Sequence, residues 1–599
     1  MERMSTPQDR FASAQAAIAR GDLTHAHALI SPLIGDSSFR AEALQILAIV
    51  ERRSGNLTAA LTRFNELLML RPQDPHAHNN YANCLLEAGQ AEAAVSRYKQ
   101  ALELDPDYVD AMLNLGLTLK NLGRSHEALP FMARAVECAA DNAKAWQCLG
   151  LVQRELGDLA GAGASLDESL RLAPNNAKAA HLRALVEAER GKPAASLFAW
   201  ARALAPGEPE ITLGLAVAQY EEGDSAAATS SLERLVAKRP DWVKGHAALA
   251  QMRWQLGDMA RFARSFDEAL RVTPGDVALQ VACFGTLMRA GCYSQVLERL
   301  PRAREAVAAP DLFDRYEAVC ASECLDVERA DRAFERQRYS EDRGLKIALL
   351  RHLLRTKRAY AAARLGESMI GGPAEKEAWP YISIAWRLTS DPRAAWLDGN
   401  GRLVAHFDFP ELQSSLQRLA EVLRGIHHGR IHPFDQSLRG GTQTDGHLFR
   451  RQEPELVEVR RCINRGLERF IDQLPAFDAR HPFLRHRRDR FKFVGSYSVR
   501  LRANGYHINH VHPDAGISCC FYVDMPPSIG ADQNDPSGWL TIGQPPVELG
   551  LDLPPLARVK PVPGRLALFP SIMWHGTVPF TNGERLTVVS DLAPVPAKS

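Results

Sequence analysis

The chain has 599 residues, too many for one compact domain, and its 72 Lys+Arg against 71 Asp+Glu leave a net charge of +1. So even a balance gives no reason to expect nucleic acid or an acidic membrane surface as a partner. No apolar run is long enough to span a bilayer, the first ten residues hold no signal-peptide core, and ten scattered cysteines without a CxxC pair read as buried free thiols, so a cytoplasmic location is expected.

The first half of the chain is periodic. Gly21, Gly55, Gly89, Gly123, Gly157 and Gly191 recur at one constant interval, thirty-four positions each time, and Gly223, Gly257 and Gly291 continue the series. Pro72, Pro106, Pro174, Pro206, Pro240 and Pro274 run in parallel, with Ala140 where another proline is due. Both series slip by two positions between Gly191 and Pro206, which implies a deletion in the second helix of that unit. Apolar residues at helical spacing, a glycine between two helices and a proline after the second describe a helical hairpin. Such a hairpin cannot bury its apolar face alone, so copies must stack. With Trp146, Leu149, Gly150, Gly157, Ala162 and Pro174 in one unit and Leu115, Gly116, Gly123, Ala128 and Ala135 in another, the array resembles tetratricopeptide (TPR) repeats. About nine units cover residues 7–308. These positions are read as helix-packing residues, which specify a fold and not a ligand.

Residues 309–395 lose this beat but keep helical periodicity, in Leu345–Leu354 and Ala359–Met369, and are read as a trailing helical connector. Cys320 and Cys324, one helical turn apart, are expected to be core thiols. Residues 396–599 form the third segment. It begins with amphipathic helices over Leu412–Ile426 and Glu455–Leu474 and passes from Phe491 into short β-like runs: Phe491–Val494, Tyr497–Leu501, Ile517–Val523, Trp539–Ile542, Arg565–Phe569 and Leu586–Val589. Strands at this spacing predict a sandwich or barrel. The basic run Arg485–Arg490 is read as a solvated face.

Chemistry concentrates in the strand-rich segment. His507, His510 and His512 crowd into one short run, His575 returns several strand-like runs later, and Arg585 and Thr587 follow it. On an extended strand His510 and His512 point to one side while His507 and Val511 face away. Three ligands meeting at one metal with open positions beside them is the facial arrangement of non-haem Fe(II) sites. Two triads remain open: His510, His512 and His575, or His512, Asp514 and His575. Arg585 offers a fork of donors suited to a carboxylate, with Thr587 on the same face. His507, His427, His428, His432 and His447 are read as hydrogen-bonded structural histidines, and Gly564 and Gly576 as turn residues. Spacing leaves open whether Tyr497, Arg500, Tyr506 and Ser518 line a pocket.

The runs Ser496–Leu501, Tyr506–Pro513, Pro563–Ser571, Trp574–Thr577 and Glu584–Thr587, with Gln436–Thr444 upstream, resemble the 2-oxoglutarate-Fe(II) oxygenases that bacteria often carry behind TPR repeats. The resemblance covers the chain from Gln436 onward. It implies a multidomain chain in which an all-α TPR superhelix precedes an α+β domain built on a double-stranded β-helix, a jelly-roll or cupin-like barrel. It further implies a dioxygenase with Fe(II) as cofactor, 2-oxoglutarate and O₂ as co-substrates, and Arg585 on the distal carboxylate. The shared feature of that group is His-x-His-Pro, which favours His510 over Asp514. A long repeat array makes a peptide or protein the expected substrate, bound by the TPR superhelix. The rival reading is a non-catalytic TPR scaffold with a degenerate barrel. A metal-dependent hydrolase of the β/α-barrel type does not fit, because the tail shows no alternation of strands and helices.

Overall fold

Each repeated glycine is a helix stop. In the computed structural model, which describes residues 6–434, 436–444, 446–486, 491–530, 532 and 534–595, all nine of these glycines have φ between 73° and 92°. Only glycine adopts that backbone without strain, so each closes one helix and turns the chain into the next. Hairpins follow, such as Pro75–Glu87 with Ala91–Leu104 and Val109–Asn121 with Ser125–Cys138. The small residues of the period sit where helices touch. A Cβ on Gly116 would stand 2.4 Å from the Met132 Cε, and Ala94, Tyr98, Ala101, Ala128 and Ala135 are fully buried. In the slipped unit the second helix, Ala195–Leu204, has 10 residues where Ala91–Leu104 has 14.

The chain forms two compact units. One comprises Met1–Ala188 and Ser196–Pro206, all repeat hairpins; the other comprises Glu189–Ala195 and Gly207–Ser599. The second unit holds the later repeats, the helices from Pro310–Glu323 to Arg393–Asp398, and the sheet domain. All ten cysteines are unpaired. Cys138 and Cys324 are exposed where buried thiols were expected, because each stands at the C-terminal end of a helix.

The described residues of the sheet domain form nine strands: β1 (Ala405–Asp408), β2 (Leu438–Gln443), β3 (Phe491–His510), β4 (Ile517–Asp524), β5 (Leu540–Ile542), β6 (Ala557–Val559), β7 (Arg565–Pro570), β8 (His575–Thr577) and β9 (Arg585–Pro594). Their order is β1-β7-β4-β9-β3-β8-β5-β6, with β2 also on β3, and the pairings are antiparallel. The runs expected as separate strands over 491–501 are one strand that continues to His510. Its first half pairs with β9 and its last residues with β8, so β3 carries the sheet around into a nearly closed barrel-like domain.

Alternation sorts the side chains. On β4 and β9, Phe521, Val523, Leu586, Val588 and Leu592 lie in the large core shared with the helices Leu416–Gly425 and Pro454–Gln473. Ser518, Arg585 and Asp591 instead line a cavity. Each fully buried Leu or Phe stabilises the fold by roughly 1.5–3 kcal/mol, so this alternation fixes the register: a one-residue slip would bury the polar set in the core. Of the basic run, Arg485 pairs with Glu375 at 2.7 Å, and Arg487–Arg490 lie outside the described residues.

Candidate metal centre

The cavity between the two halves of the barrel has a volume of about 80 Å³ and is lined by His507, His510, His512, His575, Arg585 and Asp591, among others. His510 closes β3, His575 opens β8 opposite it, and His512 follows just past the end of β3. One ring nitrogen from each of His510, His512 and His575 lies within 4.8 Å of the other two. Ring centroids are 4.3 Å apart for His510–His575, 4.8 Å for His510–His512 and 5.3 Å for His512–His575.

Each ring is held from behind. His510 Nδ1 donates to the Ile508 carbonyl at 2.8 Å, and His575 Nδ1 to the Met573 carbonyl at 2.9 Å. Asp591 Oδ2 stands 3.4 Å from His512 Nδ1, and the Ser518 hydroxyl donates to Asp591 Oδ1 at 2.6 Å. With Nδ1 engaged in all three, the Nε2 lone pairs are left for a common partner. Burial pushes His510 down to about 3, with His512 adding to the shift. Burial and the neighbouring imidazoles hold His575 well below the ordinary histidine range. The rings of His510 and His575 are therefore neutral at pH 7, the form that ligates metals. Trp574 anchors the start of β8 on the helix Glu375–Leu388, where its indole N–H donates to the Pro380 carbonyl at 2.9 Å.

His507 does not face away. It lines the same cavity, with its ring centroid 5.9 Å from that of His510. The reason is a bulge: His507 opposes Thr577 and His510 opposes His575, so three steps on β3 match two on β8. The extra residue resets the alternation. Gly576 makes room for it, and it is a strand residue where a turn was expected. A Cβ there would stand 2.2 Å from Asn509 Oδ1 and 2.7 Å from the His507 carbonyl. Gly564, by contrast, has φ +86° and is the expected turn.

Asp514 is exposed on the turn after His512 and lies outside both the imidazole cluster and the cavity. Arg585 is 1% exposed, and its Nε has no hydrogen-bond partner. Its guanidinium lies 5.2 Å from the centre of the Tyr522 ring, whose hydroxyl is also buried without a partner. Cys520 sits among Arg585, Tyr522 and Thr587; burial raises its thiol while Arg585 pulls it back. Thr587 is fully buried and its hydroxyl is 3.5 Å from the Val499 carbonyl. Tyr497 and Ser518 line the cavity, while Arg500 turns to an ion pair with Glu584. His427 is a structural histidine, bonded to Thr442 at 2.8 Å and Ser498 at 3.0 Å. Sequence reasoning missed Asp591, Gln436, Gln443 and Phe569 as cavity residues, and Ser437, whose hydroxyl lies 3.0 Å from His507 Nδ1 and 3.2 Å from His510 Nε2. Asp591 had a positional signal, since it continues the inward face of β9 from Arg585, while the other four lie in runs that carry the family resemblance without an assigned role.

Residues 495–591 match the family described as "Putative 2OG-Fe(II) oxygenase". Residues 11–76 and 185–252 match tetratricopeptide repeat families, and residues 44–173 match the middle TPR-like domain of cilia and flagella-associated protein 70. No curated protein matches the chain. Among solved structures, a tetratricopeptide repeat protein from Parabacteroides merdae is 16% identical, with 38% of this chain and 91% of that one covered and a TM-score of 0.33. MamA from Desulfovibrio magneticus is 21% identical, with 29% and 99% covered and a TM-score of 0.27. The chain thus joins N-terminal tetratricopeptide repeats to a C-terminal domain of the 2-oxoglutarate-Fe(II) oxygenase type over residues 495–591.

Proposed function

We propose that the protein is an Fe(II)- and 2-oxoglutarate-dependent dioxygenase that hydroxylates a peptide or protein recruited by its repeats. The observation that carries this reading is the pairing of two features in one cavity: three imidazoles with one ring nitrogen of each within 4.8 Å of the others, and a buried guanidinium without a carboxylate partner among the described residues. The donor set fits a divalent iron held by His510, His512 and His575, with positions left open for a co-substrate and O₂. Arg585, with Thr587 and Tyr522 beside it, fits the distal carboxylate of 2-oxoglutarate. Bound iron supplies the coupling of 2-oxoglutarate decarboxylation to oxidation of a C–H bond.

The chain's own residues orient and exclude. Ile508, Met573 and Asp591 fix the three rings, and Phe569 packs on His575 with centroids 4.7 Å apart. The repeats are the proposed recruiting surface, since stacked hairpins present extended side-chain arrays to partners. The unpaired cysteines suit a reducing compartment, so the proposed location is cytoplasmic. No helix of the described residues is long and apolar enough to cross a membrane.

The test uses the full chain. Anaerobic addition of Fe(II) and then 2-oxoglutarate is expected to produce the visible charge-transfer absorption of a chelated 2-oxo acid, and air is expected to convert 2-oxoglutarate to succinate. Absence of both iron uptake and succinate would sink the enzyme reading and leave the scaffold.

A further inference from the structure

The helix Val243–Gln255 is a repeat helix, yet its last turn is locked to the sheet domain. The Gln255 carbonyl accepts the backbone N–H groups of Arg430 at 2.8 Å and Ile431 at 3.2 Å. The Trp254 indole N–H donates to the His432 carbonyl at 2.9 Å. Phe434 is 4% exposed and packs against the contacting rings of Trp254 and Phe262, with centroids 6.0 and 6.1 Å away. The Arg289 guanidinium caps it at 5.7 Å. Just beyond Phe434, at Ser437, the chain reaches the histidine cluster. The Ser437 carbonyl accepts the Ile508 N–H at 2.9 Å, and the Ile508 carbonyl in turn holds His510 Nδ1 at 2.8 Å. The Ser437 hydroxyl meets the other edge of that ring, 3.2 Å from His510 Nε2, and lies 3.0 Å from His507 Nδ1.

We propose that this strap makes the repeat helix part of the metal centre, with Trp254 and Phe434 as positioning residues that hold Ser437 against His510 and His507. The strap from Arg430 to Phe434 has no helix or strand of its own, so its place is fixed by what it is clamped to. Ser437 has one proton to give. A metal held by His510 would take up the Nε2 lone pair, leaving that proton to His507 Nδ1. Ser437 then acts on both sides of His510, through Ile508 behind the ring and through its hydroxyl in front. The repeat surface around Trp254 is filled by the chain's own strap, so a recruited peptide uses other repeat surfaces.

The inference rests on His510, His512 and His575 being metal ligands, and the experiment separates the two. Co(II) is titrated into the full chain, and its visible ligand-field bands report affinity and geometry together. A wild-type chain that takes up no Co(II) overturns the ligand assignment and this inference with it. If the wild type binds, Ser437→Ala and Phe434→Ala are each expected to weaken binding about tenfold or more, as loss of a partner that orients a metal ligand does, and to shift the bands. Phe434→Leu, which keeps an apolar plug, is expected to restore most of the affinity. The double variant is expected to lose less than the product of the two single penalties, because the plug acts in part through the serine hydroxyl that Ser437→Ala removes. Wild-type Kd and bands in Ser437→Ala overturn the proposal even if Phe434→Ala does not fold, and so do penalties that multiply in the double variant.

Discussion

Replacing Arg585 by methionine separates a binding role from a structural one, because the two predict opposite signs. The guanidinium is 1% exposed, its Nε has no acceptor, and no carboxylate among the described residues pairs with it. Its visible compensation is the Tyr522 ring at 5.2 Å, which contributes about 0.5–2 kcal/mol. Taking such an ion out of water costs several kcal/mol. Arg585→Met keeps the length of the side chain and removes that penalty, so the ligand-free variant is expected to gain about 1–4 kcal/mol of stability. Binding moves the other way. Two charge-assisted hydrogen bonds to a carboxylate are worth roughly 1.5–3 kcal/mol each, so affinity for 2-oxoglutarate falls by about 10²–10⁴. Thermal unfolding of the metal-loaded protein with and without 2-oxoglutarate reads both effects. At a ligand concentration 100 times the wild-type Kd the wild type gains about 2.7 kcal/mol, and the variant gains about 0.4 kcal/mol at most at the same concentration. A variant that is less stable without ligand yet keeps the 2-oxoglutarate shift would refute the reasoning.

His512→Ala and His575→Ala are each expected to abolish metal uptake, measured as bound metal per chain after gel filtration. Asp514→Ala, on an exposed turn, is expected to change it by about twofold at most; loss of metal in Asp514→Ala with retention in His510→Ala reverses the ligand choice. Asp591→Asn keeps a partner for Ser518 but removes the charge 3.4 Å from His512 Nδ1, and metal affinity is expected to fall by about 10–100-fold. His427 is lowered from 6.5 to about 4, chiefly by burial, with Arg500 adding. The unfolded chain therefore takes up that proton first, and stability present above pH 6.5 is lost as pH falls toward 4, by about 3 kcal/mol at most. Urea unfolding at pH 7 and pH 5 is expected to show a smaller acid loss in His427→Gln than in wild type; equal losses count against His427.

The repeats were legible because their signal is a local constraint. One backbone angle per hairpin demands glycine, and the demand returns at the same place in every unit. The strands were harder. Gly495, Asn504 and Gly505 look like turn residues, and Asn504 does have φ +62°, yet all three lie inside β3. Gly495 stays in the strand because it pairs with Asp591 on β9, and Asn504 and Gly505 form an irregularity that β2 bridges by pairing on either side, which no local pattern announces. The strands β1, β2, β6 and β8 have three to six residues, too few for a period to show. At the site, spacing singled out His510, His512 and His575 but misplaced His507, since the bulge depends on Gly576, far along the chain. Trp254 carried no signal, and Ser437 only its place in the run Gln436–Thr444, because each acts through a tertiary contact.

The choice of a third imidazole over Asp514 also changes the charge of the site. With two histidines and a carboxylate, a bound divalent iron keeps one positive charge; with three neutral imidazoles it keeps two. Arg585 adds one more, and Asp591, the carboxylate behind His512, takes one away. Two positive charges then face a cavity of about 80 Å³ in low dielectric. On the proposed function, a 2-oxoglutarate dianion would cancel them, with one carboxylate held by the iron and the other by Arg585. Iron and co-substrate each bring the charge the other lacks, so neither is comfortable alone and both are held more tightly together. On that reading Arg585, whose Nε has no partner, would reserve the cavity for a dianion long enough to reach both ends, and an all-histidine triad would receive with the co-substrate the charge that a carboxylate ligand would otherwise supply.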